Sequence, residues 1–328
     1  MNSSLRVLPS VAAALAAGQP VVALESSVLA QGLPIPANRQ AADLMTGAVE
    51  AAGATAAVTA VVAGVPTAGL TDDEMVRFLR REGVAKVSAR DLAPAIARGG
   101  DGATTVAATL QIARLAGIDV FATGGIGGVH RNASLDRPSA VDESADLAEL
   151  ARTPMVVVCA GAKSILDLPA TWERLETLGI TVVGYRTGEL PGFFAAETGI
   201  RLANRAETAT EIAEIFRAER SLERPGALLV VQAPPVEHRL PGSVVEAAVD
   251  CALRAAAAEG VRGAAVTPYL LAAVERETAG RSLQANLALL ESNARLAGEI
   301  AQALAGIELS RCEVVYRQQF SREQEASG

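Results

Sequence analysis

Lysine is almost absent from this chain. Of its 29 basic residues only Lys86 and Lys163 are lysines, so the remaining 27 (29 minus 2) are arginines. A chain that solvates its surface with guanidinium keeps an amine where the amine itself is needed, because only the amine can shed its proton and attack carbon. Cysteine is scarce as well. Cys159, Cys251 and Cys312 show no CxxC spacing, which argues against a disulfide framework or a soft metal cage and suits a reducing compartment, the cytoplasm. There is no run of basic residues and the net charge is -8, so nucleic acid and anionic membrane surfaces are not expected as partners. Aromatic residues make up 3% of the 328 residues, which leaves the core to small aliphatic side chains. Hydrophobic residues at 50% against charged residues at 20% exclude disorder for most of the chain.

Long apolar runs are also few. Residues 51–70 are uncharged and long enough to span a bilayer, but they consist mainly of Ala, Gly, Val and Thr, contain Pro66 and have no Leu before Leu70. The stretch reads as a buried strand between turns. Residues 6–18 have the look of a weak export signal, yet Leu8, Val11, Ala12 and Leu15 share one face of a short helix, which is the reading preferred here.

What is present alternates with an α/β rhythm. Strands are predicted at 21–24, 58–62, 85–88, 120–123, 155–159, 181–185 and 227–232, with a weaker one at 264–267. Helices are predicted at 38–52, 105–116, 144–152, 171–178 and 208–218. The pattern implies a mostly parallel sheet with helices on both faces, an α/β/α architecture. One domain is expected over 1–316, followed by a frayed tail at 317–328.

Parallel sheets place ligands at the carboxyl ends of their strands, so the residues just past each strand are the site candidates. Lys163 lies on a small-residue loop, Cys159-Ala160-Gly161-Ala162-Lys163-Ser164. Such a setting suits a Schiff-base nucleophile; the plainer reading is a surface lysine. Gly124-Gly125-Ile126-Gly127-Gly128 lacks GxGxxG spacing, which leaves either close approach to a ligand or a flexible turn. Gly102-Ala103-Thr104-Thr105 is predicted to open a helix, where two hydroxyls and free N–H groups could hold a phosphate or serve as an ordinary cap. Asp142, three residues after Ser139, fits a capping box or a single oxygen ligand of a hydrated hard cation. Asn286 and Asn293 share a helix face, set either for packing or toward the site.

In this order along 21–304, the stretches Glu25-Ser26-Ser27, Lys86-Val87-Ser88, Gly102-Ala103-Thr104-Thr105-Val106, Ala122-Thr123-Gly124-Gly125, Val129-His130-Arg131, Ser144-Ala145-Asp146, Gly161-Ala162-Lys163-Ser164 and Gln284-Ala285-Asn286 resemble the pseudouridine-5'-phosphate glycosidase family, with its indigoidine-synthase-A-like fold. The resemblance implies reversible cleavage of the carbon–carbon glycosidic bond of pseudouridine 5'-phosphate to uracil and ribose 5-phosphate. It implies Lys163 as the nucleophile, through a Schiff base, and Glu25 as the proton donor. It assigns substrate binding to Lys86, Val106, Ser144, Ala145 and Asp146, a Mn2+ ion to Asp142, and a homotrimer as the assembly. Thr104, Thr105, Thr123, His130 and Asn286, on the same loops and helix, complete the expected substrate-binding set.

Departures from the family pattern concentrate at the expected mouth. The stretch between His130 and Asp142 is longer and carries Pro138, Gln31 stands where a histidine is usual, and Val231-Gln232-Ala233-Pro234 replaces an Asn-Pro pattern. Arg186 and Gly188 replace a usual Gly and Asp. These changes bear on base or sugar selectivity. Two other functions compete: a different Schiff-base lyase or aldolase acting on a sugar phosphate, and a non-catalytic regulator that binds one.

Overall fold

The computed structural model describes residues 5–131, 142–261 and 266–325, with side chains as far as Gly306. The strands among them are β1 (Arg6–Val7), β2 (Val21–Leu24), β3 (Thr55–Val62), β4 (Val65–Ala68), β5 (Val84–Val87), β6 (Asp101–Thr104), β7 (Val120–Ala122), β8 (Val156–Cys159), β9 (Thr181–Tyr185), β10 (Asn204–Ala206) and β11 (Leu228–Val231). Seven run parallel in the order β3-β2-β7-β8-β11-β9-β10, and β1, β4, β6 and β5 extend the same sheet beyond β3. The helices are α1 (Pro9–Ala16), α2 (Ala37–Ala51), α3 (Asp72–Arg80), α4 (Leu92–Arg98), α5 (Val106–Ala116), α6 (Ala145–Leu150), α7 (Leu168–Thr177), α8 (Ala209–Ser221), α9 (Gly242–Ala258), α10 (Val266–Glu277) and α11 (Arg281–Glu325).

Every residue of β2, β7, β8 and β11 is buried. Successive strand side chains point to opposite faces, so this pattern requires cover on both. α11 packs on β2, β7 and β8 and against α2 and α8, while α5 packs on β2, β3, β4 and β6 and beside α6. Each fully buried Val or Leu in these strands contributes roughly 1.5–3 kcal/mol of transfer free energy.

β3 is where the sheet changes character. Its first half, Thr55 to Val58, pairs parallel with β2; its second half, Thr59 to Val62, pairs antiparallel with β4, and Ala60 and Val61 do so with β6. The apolar 51–70 stretch is therefore largely a hairpin, β3 to β4, closed at Ala63-Gly64. No helix among the described residues is long and apolar enough to cross a membrane. α1 carries the amphipathic N-terminal segment, with Val11 and Ala14 buried; Ala14, not Ala12, completes its inner face.

Two expectations need correction. The weak strand at 264–267 is absent: Val266 and Thr267 begin α10, and residues 262–265 lie outside the described residues. The 102–105 stretch does not open a helix, because Gly102 to Thr104 close β6 and only Thr105 occupies the N-cap of α5. Pairing with β3 and β5 makes Gly102 to Thr104 strand, so of the two hydroxyls only that of Thr105 stands at the start of the helix expected at 105–116. α11 carries helical backbone as far as Glu325.

A buried hydroxyl cluster fixes the changeover in β3. Thr59 Oγ1 lies 2.9 Å from Thr104 Oγ1, 3.0 Å from Thr109 Oγ1 and 3.3 Å from the Leu24 carbonyl. The Thr104 N–H donates to Ser26 Oγ at 2.9 Å. Thr59→Val keeps the shape but leaves neighbouring hydroxyls short of a partner in a dry site, at a cost of roughly 1–3 kcal/mol. Chemical denaturation should show a lower midpoint at unchanged slope; an unchanged midpoint would remove the cluster from any structural role.

Candidate active site

The parallel pairing of β2, β7 and β8 sets Leu24 beside Ala122 and Ala122 beside Val158. The residues that follow these strands, Glu25, Thr123 and the Cys159-to-Lys163 loop, therefore emerge side by side at the carboxyl edge. A cleft there brings together Glu25, Lys86, Gly124, Gly125, Lys163, Phe193 and Asn286 among its walls. A roomier cavity, about 520 Å³ and lined by Arg131, Ser164, Asp167 and Glu246 among others, holds none of the three chemistry-bearing groups Glu25, Lys86 and Lys163. The narrower cleft is thus the candidate site.

Glu25 is buried, and its carboxylate is gripped from both sides. Ser27 Oγ donates to Oε2 at 2.6 Å and the Thr123 hydroxyl donates to Oε1. Either hydroxyl can rotate to accept, so the same grip also suits the protonated acid. Thr123 is held in turn: its carbonyl accepts from Asn293 Nδ2 at 2.8 Å, and Asn293 Oδ1 accepts from Gln232 Nε2 at 2.8 Å. Of the two asparagines on α11, Asn293 secures the β7 turn and Asn286 faces the cleft.

Lys163 sits on a loop shaped by glycine. Gly161 has φ +82°, and a Cβ there would lie 2.1 Å from the Pro191 carbonyl oxygen, so no other residue fits without displacing the backbone. Beyond it, the Lys163 N–H donates to the Ile126 carbonyl and the Ile126 N–H to the Gly161 carbonyl, both at 3.1 Å, which stitches the lysine loop to the glycine-rich loop. Cys159, at the end of β8, is sealed off; burial pushes its thiol up to about 12, and it stays inert. Among the described residues Cys159 and Cys251 are free thiols.

Lys86 projects from β5 and keeps access to solvent. Even so, the protein around its ammonium removes enough water to lower its pKa from the ordinary lysine value, and the positive Lys163 lowers it further. Glu25 and Asp146 act in the opposite direction. The two lysines of the chain, far apart in sequence, thus share one electrostatic neighbourhood.

Asp146 is buried and its two oxygens are committed: Oδ1 accepts from the Ala107 N–H at 3.0 Å and Oδ2 from the Gly127 N–H at 2.8 Å. It ties the start of α5 to the glycine-rich loop. Gly127 is required for this contact, because a Cβ there would meet Ser144 Oγ at 2.2 Å and Asp146 Oδ2 at 2.8 Å. Ser144 caps α6, accepting from the Asp146 N–H at 3.2 Å, and Ala145 is the first residue of that helix. The cap at this helix is therefore Ser144, not a Ser139–Asp142 box; Ser139 lies outside the described residues. Val106 opens α5 and is buried. Thr105 Oγ1, at its N-cap, is buried with no partner, and the Thr104 hydroxyl is absorbed in the Thr59 cluster; neither residue lines the cleft.

His130 and Asp142 stand together, apart from the cleft lining. His130 Nδ1 lies 2.7 Å from Asp142 Oδ2, and the His130 N–H donates to the Asp142 carbonyl at 2.9 Å. The Asp142 carboxylate is exposed. No three His, Cys, Asp or Glu residues converge among the described residues, so the donors present suit a hydrated hard cation held by one carboxylate and not a dry cage. The long stretch between His130 and Asp142, residues 132–141 with Pro138, lies outside the described residues.

Sequence reasoning missed part of the wall. Phe193 lines the cleft, as do Thr267, Pro268 and Leu271 of α10, beside Gln31, which the sequence placed at the mouth. Phe193 has φ +67° and stacks edge-on against Phe194 at 4.6 Å. One signal pointed there: two of only six phenylalanines are adjacent, just after Pro191-Gly192. The α10 residues gave none, since their stretch reads locally as a strand.

Comparison with known proteins places nearly the whole chain in a family. A family model described as indigoidine synthase A like protein matches residues 10–303. A protein of Gemmatimonas aurantiaca named pseudouridine-5'-phosphate glycosidase is 60% identical over 299 residues, covering 91% of this chain and 96% of that protein. One of the same name from Herpetosiphon aurantiacus is 51% identical over 302 residues, covering 92% and 98%. Among solved structures, the prealnumycin C-glycosynthase AlnA in complex with ribulose 5-phosphate superposes with a TM-score of 0.85 at 40% identity, covering 94% of this chain and all of that one. An indigoidine synthase A-like protein of Thermotoga maritima superposes at 0.82 with 37% identity, covering 92% and 96%. With the family model matching residues 10–303 and these likenesses over nearly the whole length, the chain belongs to the indigoidine synthase A like family.

Proposed function

We propose that this protein is a pseudouridine-5'-phosphate glycosidase, reversibly cleaving its substrate to uracil and ribose 5-phosphate. The observation that carries the reading is the meeting of Lys163, Lys86 and Glu25, the only two lysines and a buried carboxylate, in one cleft. The relatives' names supply the substrate, and the AlnA complex shows a pentulose phosphate bound to a protein of this fold.

A carbon leaving group has no lone pair to protonate, so a two-carboxylate glycosidase route is unattractive. The Lys163 amine instead bonds to the sugar C1' as the C1'–O4' bond opens and O4' takes a proton. The nitrogen lone pair then forms the C=N bond while the C1'–C5 bond breaks. Its electron pair goes to C5 of the base, which takes the proton of Glu25. Water hydrolyses the iminium and releases ribose 5-phosphate. Lys86 and the N-terminus of α5, with the unpartnered Thr105 hydroxyl, suit the phosphate. Asp142 would hold a Mn2+ ion, which supplies positive charge for an anionic substrate group when bound. A homotrimeric assembly and a cytoplasmic location belong to the same reading.

Three measurements test it. Lys163→Arg should be nearly dead, since a guanidinium with a pKa above roughly 12 offers no nucleophilic nitrogen, and borohydride with ribose 5-phosphate should add mass to the peptide carrying Lys163 in the parent protein alone. Near-parental uracil release by that variant, or an adduct on Lys86, would overturn the assignment. Because the pKa of Lys86 is lowered, its charge is lost at a lower pH than that of a free lysine; the KM for pseudouridine 5'-phosphate should therefore rise on the alkaline side. Lys86→Arg should flatten that rise, and an identical rise in the variant would refute a phosphate role. Excess chelator should abolish turnover and Mn2+ or Mg2+ should restore it, whereas full activity in chelator would remove the metal from the reaction.

A further inference from the structure

Two buried acceptor oxygens at the cleft have no partner: Asn286 Oδ1 and Gln31 Oε1. A buried acceptor left unsatisfied is costly, so two of them on residues lining one cleft offer places for donors that arrive with a ligand. Asn286 is 8% exposed. Gln31 lies on the π-helical turn Val28–Gly32 that follows Glu25-Ser26-Ser27, and turns of this kind recur at functional sites. Its Nε2 donates to the Val84 carbonyl at 3.3 Å. With the donor end engaged, the amide presents its oxygen as an acceptor. Both residues also border the adjoining pocket, one lined by neither Glu25, Lys86 nor Lys163, so they stand where the cleft leads away from the reacting groups. Pro268 and Leu271 share that boundary and supply an apolar face for a ring.

We propose that Gln31 and Asn286 form a base-recognition wall whose two amide oxygens accept from the two ring N–H groups of a carbon-linked pyrimidine-2,4-dione. This rests on the pseudouridine 5'-phosphate reading and deepens it. When C5 of the base faces Lys163 and Glu25, the opposite edge of the ring presents N1–H, the C2 carbonyl and N3–H. A nitrogen-linked isomer carries its sugar on N1 and has a single ring N–H left. Two acceptors therefore satisfy the carbon-linked isomer fully and leave one oxygen unpaired against the other, which makes the wall a selector of linkage as well as of base.

The test uses pseudouridine 5'-phosphate and its N1-methyl and N3-methyl derivatives, each lacking one ring N–H. In the parent protein each methyl should lower kcat/KM on the order of 10- to 100-fold. In Gln31→Met one of the two penalties should shrink to within about 3-fold, and in Asn286→Leu the other should. Adduct formation between Lys163 and ribose 5-phosphate, which has no base, reports that a variant is folded. If such a folded Gln31→Met keeps both penalties in full, the proposal is overturned. It is overturned by the parent protein alone if either methyl derivative is turned over like pseudouridine 5'-phosphate, a result that needs no variant. Failure of the parent to form the sugar adduct or to release uracil would instead overturn the glycosidase reading beneath it.

Discussion

The parallel register of β2, β7 and β8 is the constraint on which the rest of the site depends. Leu24, Ala122 and Val158 stand abreast, so Glu25, Thr123 and the loop leading to Lys163 leave the sheet at one level. The Thr123–Glu25 hydrogen bond is a direct consequence of that register. A slip of one residue would turn every side chain of a strand to the opposite face and separate the carboxylate from its partner. Complete burial of these strands makes such a slip prohibitive, so packing energy in the core is what holds the geometry of the cleft.

Around that edge the polar groups fall into two kinds. Asp146, Asn293 and Thr104 have their hydrogen bonds met within the protein and act as rivets: Asp146 joins α5 to the glycine-rich loop, Asn293 pins the turn after β7, and Thr104 anchors Ser26 beside Glu25. Thr105, Asn286 and Gln31 each leave one buried oxygen unmet. Fully satisfied networks give rigidity, and of the three unmet oxygens those of Asn286 and Gln31 belong to residues lining the cleft. Lys86 and Lys163 add a third element. Burial and the neighbouring Lys163 together lower the pKa of Lys86.

Much of this was legible before any coordinates. β2 and β9 run over the predicted residues 21–24 and 181–185, because continuous β-branched runs bounded by turn residues have few other outcomes. The scarcity of lysine singled out both amines, and strand-end position singled out Glu25. The failures share a cause. β4 and β6 pair antiparallel with the second half of β3, and the strand at Gly102 to Thr104, ahead of the expected helix, forms on partners distant in sequence. The 264–267 stretch has strand-like residues, but Val266 and Thr267 joined α10, whose inner face is buried at Leu270, Ala273 and Val274.

By itself the sequence determined the element types with strong periodicity, the parallel character of the main sheet, and the identity of the nucleophile and acid candidates, since these depend on local pattern and on side-chain chemistry. Only the tertiary structure decided which polar groups were consumed and which were left open. Asn286 and Asn293 are seven residues apart on one helix and alike in sequence context, yet Asn293 meets the Thr123 carbonyl and Asn286 meets the cleft. Gln31 became a wall residue because a π-helical turn aimed it past Val84. Hydrogen-bond satisfaction depends on partners brought in from distant parts of the chain, and no local pattern encodes it.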